Sequence, residues 1–153
     1  YARALELEPD FPRYVNDSAM LINYYLDPEG KRKEEVEAMF KKAWTLGKEA
    51  YENPFTDEGE KTVHFSAYTD ALVNLGRFYL MENRLDQSKQ MLEELLPVAP
   101  DRWEVILLQR VLAGDLPPER VILFKKALGG TEMTEEELKN LQQSLRKQSR
   151  NQE

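Results

Sequence analysis

The sequence predicts an all-α protein, on three observations. Apolar residues recur at three- and four-residue spacing, Leu72, Leu75 and Tyr79 before the polar break Glu82, Asn83, Arg84 and Leu85, Leu92 and Leu95 after it, as in two amphipathic helices joined by one turn. Proline and glycine stand between such stripes, at Pro9, Pro54, Pro97, Pro100, Gly114, Pro117, Gly129 and Gly130, where helices start and stop. The composition, 153 residues with 41% hydrophobic and 32% charged, suits a soluble helical chain with one sizeable core.

Each element has a local reason. Residues 1–9 have the spacing of residues 92–100 and are expected to be the tail of a preceding unit. Asp10 is then expected to cap, and Pro12 to open, a helix carrying Val15, Ala19, Ile22 and Leu26, because proline fits a first turn where its missing N–H is not needed. After the turn Asp27, Pro28, Glu29, Gly30, a helix from near Arg32 carries Val36, Phe40 and Ala43. It finds no proline until Pro54, so it is expected to run toward Glu52. Asn53, Pro54 and Gly59 mark a loop, and Phe65, Tyr68, Leu72, Leu75 and Tyr79 continue as one helical stripe.

In the hairpin of residues 72–100, Gly76 lacks a side chain and lets the second helix approach, with Ser88 as the small residue facing it. Tyr79 and Leu92 fill the space beside that contact, Asn83 sits where the turn needs positive φ, and Pro97 and Pro100 end the unit. Asp101 and Glu104 have the spacing of a capping arrangement before a helix with Trp103, Ile106, Leu107, Arg110 and Val111, ended by Gly114. Pro117 and Pro118 open the next helix, with Val121, Leu123, Phe124, Ala127 and Leu128, and Gly129 and Gly130 close it. Thr134 and Glu137 form a capping box for a last helix whose Leu138, Leu141 and Leu145 are expected to cover the preceding pair, before a polar tail at 147–153.

The spacing held by Leu72, Leu75, Gly76, Tyr79, Ser88, Leu92 and Pro100 resembles the tetratricopeptide repeat. That resemblance implies a right-handed helical-repeat solenoid with a C-terminal capping helix. It divides the chain into a repeat tail (1–9), a repeat with an extended second helix (10–53), an insertion of loop and helix (54–68), a repeat (69–100), a degenerate hairpin (101–130) and a capping helix with polar tail (131–153). Departures are visible: Ala19 stands at the glycine place, Ser18 at a leucine place, and Arg110 where Gly76 stands in the better-matched repeat.

By resemblance the function is that of a protein–protein interaction module taking a peptide or protein partner in a concave groove, part of a longer, bacterial-looking repeat protein. The rivals are a structural spacer or homo-oligomerisation segment, and an accessory repeat region of an enzyme whose catalytic part lies upstream. The start at Tyr1, without Met or a signal-peptide pattern, is expected of a fragment or a processed product. If the family geometry holds, the first helix of each hairpin lines the groove. Arg13, Asn16, Asp17, Met20, Asn23 and Tyr24 come from one such helix, and Asp70, Val73, Asn74, Arg77, Leu80 and Met81 from the next. Glu104, Leu107, Leu108 and Val111 come from the third. Amides, charges and soft apolar side chains together suit an extended peptide. The two-carboxylate clamp of some repeat proteins is incomplete, with Asn74 in place but Asn16 and Leu108 where Lys and Arg are expected, so no tight binding of acidic chaperone tails is expected.

Other chemistry finds little support. A net charge of -7 argues against a nucleic-acid surface. No apolar run approaches membrane-spanning length. With no cysteine there are no disulfides, thiolate metal sites or cysteine nucleophiles, and a cytoplasmic home is slightly favoured over a periplasmic one. His64 is the single histidine and is expected to serve packing or surface duty. The acidic pairs Glu34, Glu35 and Glu93, Glu94 belong to solvated helix faces, and Gly129 and Gly130 lack the Lys and Ser/Thr of a phosphate loop. No catalytic residue, metal or cofactor is expected, and the sequon at Asn16 is discounted because it lies on a helix.

Overall fold

The computed structural model describes residues 2–150, with side chains to Lys147; Tyr1 of the expected repeat tail and residues 151–153 of the expected polar tail lie outside the described residues. Within them the chain is all-α: α1 (Ala2–Leu7), α2 (Pro12–Leu21), α3 (Lys33–Glu52), α4 (Glu58–Met81), α5 (Leu85–Leu95), α6 (Trp103–Ala113), α7 (Pro118–Leu128) and α8 (Glu135–Arg150). Between α2 and α3, Ile22–Leu26 form a π-helical turn, closed by the Asp27 N–H on the Ile22 carbonyl at 2.9 Å. That turn was not foreseen.

Two expected caps are replaced by ion pairs. Asp10 does not cap α2, whose N-cap is the extended residue Phe11; instead Asp10 takes the Lys42 ammonium of α3 at 2.7 Å. Before α6, Arg102 occupies the N-cap without a side-chain cap bond, and Glu104 pairs with the Arg102 guanidinium at 3.0 Å. In both places the expected capping acid, Asp10 or Asp101, stands one residue before the N-cap, where its side chain is not the one that faces the first turn. The capping box of α8 does form: Glu137 N–H donates to Thr134 Oγ1 at 3.2 Å, and Thr134 N–H to Glu137 Oε2 at 2.9 Å.

The α4–α5 hairpin follows its sequence closely. Asn83 has φ of 57°, and Ser88 Oγ donates to the Gly76 carbonyl at 2.8 Å. A Cβ on Gly76 would stand 3.1 Å from Leu108 Cδ1 and 3.6 Å from Met91 Cβ, so the missing side chain serves α6 as much as α5. A closer approach at a glycine lies elsewhere. Where α3 crosses α4, a Cβ on Gly47 would be 2.8 Å from Tyr68 Cβ and 3.1 Å from the Tyr68 backbone nitrogen. The two longest helices meet there, and α3 on α4 is the most extensive helix pairing in the molecule.

One apolar core joins Ala19, Phe40, Leu72, Leu75, Tyr79, Leu95, Leu107 and Leu108 with Phe124 and Leu128 of α7 and Leu141 of α8. A smaller cluster of Val15, Ala43 and Ala71 lies under α1. On the outer side Glu37 of α3 gathers the α4–α5 turn. Arg84 donates to both its oxygens, at 2.7 and 3.0 Å, and Tyr79 Oη donates at 2.9 Å, while the Lys41 ammonium lies 2.8 Å away.

The Arg84 bonds, against a burial penalty and with help from Lys41 and Tyr79, hold the Glu37 carboxyl at about 2, below its ordinary 4.5. A depressed value means the stabilisation is complete above pH 4.5 and drains as the pH falls toward about 2. Glu37→Gln should therefore lose about 1 to 2 kcal/mol at neutral pH. It should also flatten the acid limb of the stability curve in that window, which urea titrations at stepped pH would measure; an unchanged acid limb would remove Glu37 as its source.

Candidate partner-binding groove

Helices α2, α4 and α6, with the π-helical turn after α2, supply the groove positions, and an ion-pair chain ties the starts of α2 and α6 to the middle of α4. Arg13 at the start of α2 donates to Asp70 Oδ2 and Ser66 Oγ of α4, each at 2.7 Å, and to Asp17 Oδ1 at 3.4 Å. From the other side Arg102, at the N-cap of α6, donates to Asp70 Oδ1 at 2.6 Å. Asp70 thus takes one guanidinium on each oxygen, and the chain runs Asp17, Arg13, Asp70, Arg102, Glu104. Burial disfavours the Arg13 and Arg102 cations, but their bonds to these carboxylates outweigh it and raise both pKa values. All five side chains stay accessible to about a third or less, so the network is a rim already satisfied by its own members.

Below this rim the structure corrects the expectation of open groove residues. Asn16 and Asn74 are buried, 0% and 5% exposed, and Val73, Leu80, Leu107 and Leu108 belong to the interior. Asn74 Nδ2 donates to Asn16 Oδ1 at 3.1 Å, and Asn16 Nδ2 donates to Asp17 Oδ1 at 3.2 Å with Met20 Sδ at 3.9 Å. Two amides that satisfy each other can enter a core that neither could enter alone. Met20 packs partly buried beside the core, and Asn23 is half-buried. Val111 is also half-buried against the core.

The far end holds Tyr24, Arg77 and Met81, and there the chain meets itself. Arg77 lies over the Tyr24 ring, 5.4 Å from its centroid, and its Nε donates to the Leu128 carbonyl at the end of α7. A Cβ on Gly130 would be 3.4 Å from Tyr24 Cε1, and one on Gly129 would be 3.4 Å from Met81 Sδ. Burial pushes the Tyr24 hydroxyl pKa up, with the Arg77 charge partly opposing it. Met81 remains 43% exposed. Of the groove residues expected from the sequence, the structure therefore brings together Arg13, Asp17 and Asp70 at one end, Asn16, Asn74 and Met20 beneath, and Tyr24, Arg77 and Met81 at the other.

Arg102 and Ser66 were missed as members of this face. The usable signal was Asp70 itself, an acid inside the apolar run that follows Tyr68, which needs a cation brought from elsewhere in the fold. His64 stands apart from the groove with its ring edge-on to Phe11 at 5.8 Å, beside an open cavity of about 500 Å³ lined by Pro12, Leu46 and Glu49. Phe55 is 94% exposed on its loop, whereas Phe65 packs on Tyr51 with centroids 5.1 Å apart.

Among the described residues no three His, Asp or Glu side chains converge to hold a metal ion, and no helix is long and apolar enough to cross a membrane. No known protein family matches the chain, and neither does any curated protein or any solved structure.

Proposed function

We propose that this chain is a helical-repeat solenoid of the tetratricopeptide type and works as a protein–protein interaction module, without catalysis of its own, taking a peptide or protein segment on the face shared by α2, α4 and α6. The packing order is what supports the reading. Each helix from α2 to α6 packs on its predecessor, while α2 also packs on α4 and α4 on α6, so that alternate helices come side by side. Such an array buries one set of side chains between neighbours and leaves a second set along a common face. The Arg13, Asp70, Arg102 chain runs across that face and fixes the three helices relative to one another.

The test uses residues that are accessible and make no part of the core. The immobilised chain is compared with Asn23→Arg combined with Met81→Arg, and with Phe55→Arg as a control on the remote loop. A protein captured by the parent and the control but lost from the groove variant, all three folded, is the expected result. Equal capture by all three would move the binding surface away from the groove.

A second reading has one observation in its favour. Ile122 of α7 and Leu138 of α8 are 65% and 45% exposed, a surface that a second copy could cover. Light scattering at low micromolar concentration should find a monomer if the groove is the working face; a stable dimer would favour self-association through α7 and α8.

A further inference from the structure

The end of α7 lies against Tyr24, Arg77 and Met81, which the groove reading assigns to an external ligand. The helix itself has the make-up of such a ligand. Phe124 and Leu128, one helical turn apart, are buried, 2% and 0% exposed, while Ile122 points outward at 65%. The Leu128 carbonyl, one of those a helix leaves unpaired at its C-terminus, accepts from Arg77, whose cation also suits the negative end of the helix. Gly129 and Gly130 carry no side chains where the turn passes over Met81 and Tyr24, and Gly130 has φ of 68°.

The connection to α7 is equally particular. Gly114 ends α6 in the left-handed region with φ of 75° and nothing near its Cβ position, and α7 packs on α6 about as closely as α6 packs on α5. Helix α7 follows this turn, lies between α6 and α8, and is tied to α4 where the Leu128 carbonyl accepts from Arg77.

On these observations we propose that α7 is an internal occupant of the groove. A partner helix of like chemistry, with two large apolar residues four apart and a helix end free of side chains whose last carbonyl goes to Arg77, engages by displacing it. This regulation rests on the groove being the binding face. An occupant held on the same chain competes at an effective concentration on the order of millimolar, so the free chain is closed to weak ligands.

The probe is a labelled peptide of residues 117–131, followed by fluorescence anisotropy with the parent chain and with Leu128→Asp, which places a charge in the seat of the anchor. The expected result is peptide affinity about tenfold or more higher for Leu128→Asp than for the parent, most of it lost again when Arg77→Ala is added. Equal affinity for the two chains, or none for a folded Leu128→Asp chain, overturns the proposal. Complete unfolding of Leu128→Asp does so too, because α7 would then be an inseparable part of the core.

Hydrogen exchange on the parent gives an independent readout: α7 amides should exchange about tenfold or more faster than those of α4 and α5, and equal protection speaks against displacement. Capture of a partner that is sensitive to Asn23→Arg with Met81→Arg, together with indifference to the peptide, would sink the internal occupant and leave the groove standing.

Discussion

Gly47→Val should lower stability by about 3 kcal/mol, the largest loss expected from any single small-to-large change in the chain. A Cβ at this place would fall 2.8 Å from the Tyr68 Cβ and 3.1 Å from both the Tyr68 Cα and backbone nitrogen. None of these atoms is the loose end of a flexible side chain. Relief requires α3 and α4 to separate, and they are the most extensively packed pair.

Gly47→Ala calibrates the argument. Alanine returns roughly 1 kcal/mol of helix propensity, so its net loss should be about 1 kcal/mol, and valine adds the remainder. Urea unfolding with unchanged m-values measures both. An alanine variant more stable than the parent would show that the helices move apart freely, and the close approach would lose its importance.

Asn74→Ala should cost about 2 kcal/mol, because it leaves the carbonyl of buried Asn16 without its donor. The pair makes a sharper prediction than either residue. Replacing both Asn16 and Asn74 with leucine, close in size and with no polar atoms, should cost less than the sum of the two single losses, with a coupling of about 1 kcal/mol or more. Strict additivity would mean that the amides do not depend on each other. The result also constrains tests of function, since a change at Asn74 disturbs the interior and cannot report on a surface.

The α4–α5 hairpin was legible because its information is local. Leu75, Gly76, Ser88 and the turn residue Asn83 act over a dozen residues, and the Ser88 bond to the Gly76 carbonyl and the positive φ of Asn83 are both present. The burial of Asn16 and Asn74 was not legible. Each lies on the polar side of its own helix pattern, and only their meeting, 58 residues apart in sequence, makes burial tolerable. The same holds for Gly47, whose lack of a side chain matters only once Tyr68 is opposite. The starts of α2 and α6 were misjudged by one residue, as the N-cap positions fall to Phe11 and Arg102, one place past Asp10 and Asp101.

The candidate groove was half legible. The stripe from Arg13 to Tyr24 and from Asp70 to Met81 does come together, but a helical-wheel argument assigns faces relative to the helix axis and says nothing about what a later segment brings. The seating of α7 against Tyr24, Arg77 and Met81 depends on the path of the chain after Gly114, which no spacing encodes.

The π-helical turn at Ile22–Leu26 has a consequence for how this chain tolerates changes in length. Closing a turn over five residues accommodates one residue more than an α-turn does, and one residue corresponds to about 100° of rotation. The helix thus absorbs what has the geometry of a single-residue insertion without a loop, placing Tyr24 beneath Arg77 and turning Tyr25 out to 77% exposure. Deleting one residue within this turn would not shorten a linker. It would rewind the helix end and exchange which aromatic ring meets the guanidinium, so the position acts as a phase adjuster between the start of α2, fixed by Arg13, and the turn that Asp27 ties to Lys31 and Arg32.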